Sequence, residues 1–134
     1  MMEKVIEELP PKRPVLVIKV KRKIFYGHLL NNSSTEALIE KLRYGPINIV
    51  LHDYGGFEKI GDLPWELPRN DEPTKTMPGD IILNRGRMIS FYYNENMWHF
   101  TKLGSFHYSD SESLYEAFGG DENVRVNLSL EWPE

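Results

Sequence analysis

The sequence predicts a single mainly β domain, a small barrel whose open ends or sides are covered by two short helices. Short apolar runs that alternate with polar residues recur along the chain, which is the pattern of strands buried on one face. Turn signals rich in glycine, proline and asparagine separate these runs, and only two segments have helical periodicity. No internal repeat or linker divides the 134 residues, so we expect one domain at 14–134 after a peripheral arm at 1–13.

The composition is that of an ordinary globular domain and excludes several classes of site. Hydrophobic residues make up 40% and charged residues 27%, and the formal charge of −4 favours no broad phosphate-binding surface, so we expect no nucleic-acid partner. The absence of cysteine excludes disulfides, thiolate metal sites and a cysteine nucleophile. No apolar run approaches the ~18 residues of a membrane span, and we expect a cytoplasmic monomer without a membrane partner.

The first strands form a predicted hairpin. Leu16, Ile18 and Val20 share one face of a strand that begins after Pro14. A short turn then leads into a second strand over residues 24–30. We expect the shared apolar face to lie against the core.

Two segments are predicted to be helices. The first begins at Ser33, which forms a capping box with Glu36, and ends before Pro46 because proline cannot continue a helix. The second begins at Ser109, with Glu112 as its capping-box partner. Both helices are short, so they must dock on a sheet to persist.

The central part of the chain combines a strand, a glycine-rich segment and a loop. The apolar run 47–51 alternates with polar residues and predicts a third strand. Gly55, Gly56 and Gly61 follow within a few residues, which indicates sharp turns or close approach to another strand. Residues 69–76 are polar, contain a proline and lack periodicity, so we predict a loop there.

The second half of the chain is predicted to form a meander and a regular final strand. Three strands at 81–83, 88–93 and 97–104 are separated by tight turns. Residues 124–132 alternate most regularly in the chain, with valines, leucines and Trp132 on one face. We therefore expect that face to lie against the core and the other face to be exposed to solvent.

Motifs for common catalytic and metal sites are absent from the sequence. The four histidines are far apart along the chain, and we expect neither a metal site nor a cofactor. His52 beside Asp53 has the form of an oriented base, but a polar residue on the wet face of a strand is the favoured interpretation. Asp53, Glu58 and Asp62 have the form of a carboxylate site, although scattered acids in a surface loop are favoured.

An aromatic-rich stretch is the best candidate for a binding surface. Its apolar side chains are Phe91, Tyr92, Tyr93, Met97, Trp98 and Phe100. Alternation along a strand predicts that half of them face the core and half face the opposite side. Exposed aromatic and methionine side chains commonly mark a binding surface.

Four segments carry a resemblance to a known family. They are 53–64 with its Asp-Tyr-Gly-Gly motif, 78–81, 91–93 and 101–104. Through them the chain resembles the small prokaryotic cyclophilin-like domain family, which is related in fold to the cyclophilins. The resemblance implies a closed antiparallel cyclophilin-like β-barrel of about eight strands with a helix over each end. It implies much less about activity.

Cyclophilins are peptidyl-prolyl isomerases that bind the X-Pro bond in a groove on the outside of the barrel. The rotation barrier is about 20 kcal/mol, and an arginine that donates to the prolyl nitrogen favours the twisted state. That arginine lies two residues after a phenylalanine. Here Phe57 is followed at that spacing by Lys59. Because lysine is a flexible point charge rather than a rigid fork, the resemblance implies weak or no isomerase activity.

We therefore predict a domain that binds a small ligand or an extended, proline-containing peptide in an aromatic-lined groove, with Lys59 in the catalytic position. The predicted groove residues are Phe57, Phe91, Tyr92 and Trp98. One alternative is an active peptidyl-prolyl cis-trans isomerase in which Lys59 or Arg85 donates to the prolyl nitrogen. Another is a protein-interaction module that binds its partner through residues 69–76.

Overall fold

The computed structural model describes residues 13–108 and 110–133. The predicted arm at residues 1–13 lies outside them except for Arg13. The described strands are β1 (Val15–Val20), β2 (Lys23–Leu29), β3 (Ile47–Tyr54), β4 (Glu58–Asp62), β5 (Glu72–Thr76), β6 (Asp80–Asn84), β7 (Met88–Tyr92), β8 (Asn96–Phe106) and β9 (Val124–Glu131). The described helices are α1 (Ser33–Leu42) and α2 (Ser111–Ala117), and neither is long and apolar enough to cross a membrane.

Eight of the strands close into a ring. Their order is β2-β1-β9-β3-β4-β7-β6-β8, and β8 pairs back with β2. Every pairing is antiparallel, which confirms the predicted closed antiparallel barrel. The remaining described strand, β5, pairs with the first half of β8 and lies outside the ring.

Alternation places the inward-facing side chains as the sequence predicts. Leu16, Ile18 and Val20 of β1 are buried in the barrel core. In β9 the buried positions begin at Val124, but the strand ends before Trp132. Trp132 is partly exposed, and the Arg43 guanidinium lies 4.6 Å from its ring centroid. The prediction that Trp132 joins the core face of the last strand is therefore wrong.

The first helix is capped one residue earlier than predicted. Asn32, not Ser33, is the N-cap, and its side chain accepts a hydrogen bond from the Thr35 backbone N–H at 2.9 Å. The Thr35 hydroxyl in turn accepts from the Asn32 N–H at 3.1 Å, which completes a capping box. A tertiary contact explains the shift, because Asn32 also donates to the Lys102 carbonyl on β8.

The second helix begins after Asp110, whose side chain accepts from the Ser113 N–H at 2.8 Å. The predicted cap, Ser109, lies outside the described residues. Leu114 and Phe118 of this segment pack into the barrel core, where Phe118 stacks on Phe91 at 5.5 Å between ring centroids. Both helices thus contribute side chains to the core, as short helices need for stability.

Residues 72–76 are a strand and not part of a loop. They form β5, which pairs with Asn96–Phe100 of β8 in register from Glu72↔Phe100 to Thr76↔Asn96. Proline in the sequence was compatible with this because an edge strand tolerates a missing N–H. Only 69–71 of the predicted 69–76 loop is irregular.

The three strands of the predicted meander are present, but their order in the sheet differs from the prediction. β6 lies between β7 and β8, and the outer edge of β7 pairs with β4. The glycine-rich segment turns the chain back from β3 into β4. Gly55 and Gly56 adopt φ values of 66° and 74° in the turn before β4, and a Cβ on Gly61 would lie 2.4 Å from the Val50 carbonyl oxygen. The predicted sharp turn and close approach therefore place β4 against β3.

Candidate functional site

A cleft of about 590 Å³ lies on the outer wall of the barrel. It is formed by β3, β4, the β6–β7 hairpin and the first half of β8. Its lining residues are His52, Tyr54, Phe57, Glu58, Ile60, Asn84, Arg85, Met88, Asn96, Trp98 and Phe100. Most of them are apolar or aromatic, which is the usual lining of a small-molecule site.

Strand register decides which side chains reach this cleft. Glu58 of β4 is paired with Tyr92 of β7, and the next residue, Lys59, is paired with Phe91. Directly paired residues share a face, and successive residues alternate between faces. Because Phe91 belongs to the barrel core, Lys59 also points inward, whereas Glu58 and Tyr92 point toward the outer wall.

The floor of the cleft is a small apolar cluster separate from the barrel core. Ile82, Tyr92 and Phe100 are buried there, and Phe57 packs against them. Phe57 and Tyr92 are stacked, with 6.0 Å between ring centroids and 7° between ring planes. The cluster joins the outer wall to β8 where β8 leaves the barrel to pair with β5.

The upper part of the cleft is open to solvent. Trp98 is 66% exposed, and Tyr54 is exposed beside Phe57 in an edge-to-face arrangement at 6.1 Å. Arg85 lies in the β6–β7 turn with a left-handed φ of 55°. Exposed ring surface above a closed aromatic floor can bind a flat or apolar group.

Glu58 is the buried acid of this cleft. Its residue surface is only 2% exposed, and its two carboxylate oxygens accept from the Tyr92 hydroxyl at 2.5 Å and the Ser90 hydroxyl at 2.8 Å. Burial raises the pKa of Glu58, and the two hydrogen bonds oppose the rise. The pKa of Tyr92 is raised by burial and by its bond to Glu58. The interpretation of Glu58 as a scattered loop acid is wrong.

Lys59 occupies the opposite side of the sheet. It is 0% exposed, and its Nζ donates to the Glu122 carbonyl at 2.6 Å. Burial lowers its pKa, although Asp53 and Asp121 act in the opposite direction. Asp53 also accepts a hydrogen bond from the Tyr93 hydroxyl.

The structure therefore divides the residues predicted for the site. Phe57 and Trp98 line the cleft, and Tyr92 lies buried beneath it. Phe91, which is 1% exposed, and Lys59 face the interior of the barrel, so neither reaches the cleft.

The predicted carboxylate group is divided in the same way. Asp53 is the register partner of Lys59 and shares its inner face, whereas Glu58 lies on the outer wall. His52 lines the cleft and is exposed, as expected for a polar residue on the wet face of a strand. Within residues 13–108 and 110–133, no group of three or more histidine or acidic side chains is placed to hold a metal ion.

Sequence reasoning missed the two asparagines of the cleft and did not place Glu58 there. Asn84 and Asn96 were assigned to turns, yet both line the cleft with Glu58. The signal for Glu58 was present in the alternation of β4, where Glu58 and Ile60 flank Lys59. Alternation alone does not identify which of the two faces of β4 borders the cleft.

A family model described as a cyclophilin-like family matches residues 18–129 of the chain. Among solved structures, the chain is similar to that of McbB in complex with tryptophan, with a TM-score of 0.59 and 16% sequence identity. This similarity covers 85% of the chain but 44% of the McbB chain, so the protein spans less than half of that neighbour. Such a low identity shows a shared fold alone. No curated protein matches the sequence.

Proposed function

Because the chain belongs to the cyclophilin-like family, we propose that it is a binding domain whose outer cleft takes a small ligand or a short extended peptide, with weak or no isomerase activity. The observation that carries this proposal is the cleft itself. It combines about 590 Å³ of space with a Trp98 side chain that is 66% exposed above a buried aromatic floor.

The size and lining of the cleft support a small ligand. Pockets of roughly 300–1,000 Å³ with an apolar lining and a few polar groups are typical of small-molecule sites. Here the apolar part includes Phe57, Met88 and Trp98, and the polar part includes Glu58 and Asn96. Covering exposed apolar surface contributes about 25 cal/mol per Å², so the exposed indole offers a ligand a large contact.

The position of Lys59 supports weak or absent isomerase activity. A donor to a prolyl nitrogen must reach a substrate in the outer cleft. The Lys59 side chain extends to the other face of the sheet, where its ammonium is hydrogen-bonded to Glu122. It can therefore act on such a substrate only if β4 reverses its faces.

An active isomerase remains a second candidate because Arg85 lines the cleft. Its guanidinium is the rigid, forked donor that Lys59 lacks. In this alternative Arg85 donates to the prolyl nitrogen while Phe57 and Trp98 hold the ring.

A titration followed by amide NMR tests the binding proposal. McbB was solved in complex with tryptophan, so we choose indole derivatives as small probes, beside a short X-Pro peptide. We expect shifts around Phe57, Asn96 and Trp98, and about a tenfold loss of affinity in Trp98→Ala. Met97→Ala is the matched control, because Met97 is also exposed and lies on the opposite face of β8.

The outcomes separate the candidate functions. No shift at the cleft with any probe at millimolar concentration contradicts the proposal, and peptide shifts confined to 69–76 favour the protein-interaction module. Exchange NMR on the X-Pro peptide tests the isomerase. Acceleration that is lost in Arg85→Ala and kept in Lys59→Met would establish Arg85 as the donor.

A further inference from the structure

We propose that the ligand of the outer cleft carries a cationic ammonium group on an apolar or aromatic body, and that Glu58 is its counter-ion. This inference rests on the proposed function and names the chemical class of the ligand. It is carried by a buried carboxylate without a basic partner, by the aromatic rings around it and by the charge distribution along the cleft.

Glu58 is a buried acid whose charge nothing in the described chain neutralises. Five ion pairs form among the described residues, and none of them includes Glu58. Each of its oxygens accepts one hydrogen bond, from the neutral hydroxyls of Tyr92 and Ser90. A carboxylate has about four acceptor positions, so acceptor capacity remains. Because Glu58 lines the cleft, a ligand can use that capacity.

A buried carboxylate without a cation is costly, and a bound ammonium would reverse that cost. Removing a charged group from water is unfavourable unless it is paired and hydrogen-bonded. Burial accordingly raises the pKa of Glu58. Two charged neighbours act on Glu58: Asp53, on the inner face of β3, raises its pKa further, and His52, on the outer face, lowers it. The ion pairs among the described residues do not include a His52–Glu58 pair.

Aromatic residues line or underlie the cleft that Glu58 borders. Tyr54 and Tyr92 are the register partners of Glu58 on the two neighbouring strands, and Phe57 precedes it in the chain. Phe100 and Trp98 complete the wall from β8. A cation held within about 6 Å of an aromatic face is attracted by the ring, and more strongly where water is excluded. Rings around a carboxylate therefore favour a cation over a neutral or anionic group.

The arginine of the cleft lies away from Glu58. Arg85 follows β6 beside Met88, which pairs with Asp62, four residues along β4 from Glu58. At about 3.4 Å per residue, those positions on β4 are roughly 14 Å apart. Arg85 is thus placed to contact the far end of a ligand, and the Glu58 end is left for the ammonium.

Three matched indoles test the inference: tryptamine, which is cationic, tryptophol, which is neutral, and indole-3-acetate, which is anionic. We expect tryptamine to bind about tenfold more tightly than tryptophol, and indole-3-acetate to bind most weakly. In Glu58→Gln the ratio of tryptamine affinity to tryptophol affinity should fall to within about twofold, because glutamine has nearly the same shape and carries no charge. Glu40→Gln, an exposed site on α1, removes the same charge elsewhere and should keep the preference.

The results distinguish this inference from the proposed function. If tryptophol binds as tightly as tryptamine and Trp98→Ala weakens both, the cleft binds ligands but the ammonium preference is wrong. If none of the three shifts the cleft resonances, both proposals fail. The ranking on the native protein decides the question even if Glu58→Gln does not fold. An acetylated, amidated peptide with one lysine presents the same ammonium, and its affinity relative to tryptamine distinguishes a peptide source from a free amine.

Discussion

Each face of the β4–β7 strand pair carries a buried ionisable side chain, but only the outer face borders the cleft. On the inner face, Lys59 is buried with its ammonium hydrogen-bonded to a backbone carbonyl, and Phe91 is packed in the barrel core. On the outer face, Glu58 is equally enclosed but borders an open cleft above Tyr92. Burial shifts both pKa values toward the neutral form, upward for Glu58 and downward for Lys59. A perturbed ionisable residue therefore marks a candidate site only where a cleft gives access to it.

The largest effect expected from this difference is on stability, at the inner face. Phe91→Ala should lower the free energy of unfolding by about 3–5 kcal/mol, because it opens a cavity among rings that include Phe106 and Phe118. Urea unfolding measures this change in the free energy of unfolding. Phe91→Leu is milder and keeps the fold, so it should leave tryptamine affinity within about twofold. A large loss of tryptamine affinity in Phe91→Leu at near-native stability would indicate that Phe91 belongs to the ligand groove.

An intermediate effect is expected at the outer face. Tyr92→Phe removes the hydroxyl that donates to Glu58 and should cost about 2 kcal/mol, since hydrogen bonds to charged groups are worth roughly 1.5–3 kcal/mol. The pKa of Glu58 should rise further, because this bond opposes the rise. Tyr26→Phe, at an exposed tyrosine, is the control and should change stability by less than about 0.5 kcal/mol. Equal costs at both tyrosines would mean that the Glu58 contact contributes little.

The smallest effects are the pH slopes of stability, and they should have opposite signs. The folded pKa of Glu58 is raised, so native stability relative to Glu58→Gln should improve as the pH falls through that pKa. The folded pKa of Lys59 is lowered, so native stability relative to Lys59→Met should improve as the pH rises through it. Each difference is limited to about 1.4 kcal/mol per pH unit, the value for one proton.

Urea unfolding at several pH values measures both slopes. Each variant should be compared with the native protein over the same pH range, because Asp53 and Asp121 lie near Lys59, and Asp53 and His52 lie near Glu58. Differences that run in the same direction with pH would contradict the assignment of the two residues to separate buried environments.

Local patterns in the sequence were enough to predict the strands other than β4 and β5, and much of the core. Alternation placed Leu16, Ile18 and Val20 inside the barrel, and the glycines before β4 predicted its turn. The segments that resemble the cyclophilin-like family predicted ring closure, which alternation alone does not require. These features depend on neighbouring residues or on a family motif, so they can be read along the chain.

Only the tertiary structure decided which strands are neighbours and which face of β4 borders a cleft. Residues 72–76 become a strand because β8 extends beyond the barrel and offers them a partner, although their composition favours a loop. Lys59 and Glu58 are adjacent and both charged, and their sequence context assigned the site to Lys59. The register with β7 places Glu58 and not Lys59 at the cleft, because a period of two sends consecutive side chains to opposite faces and the cleft lies on one of them.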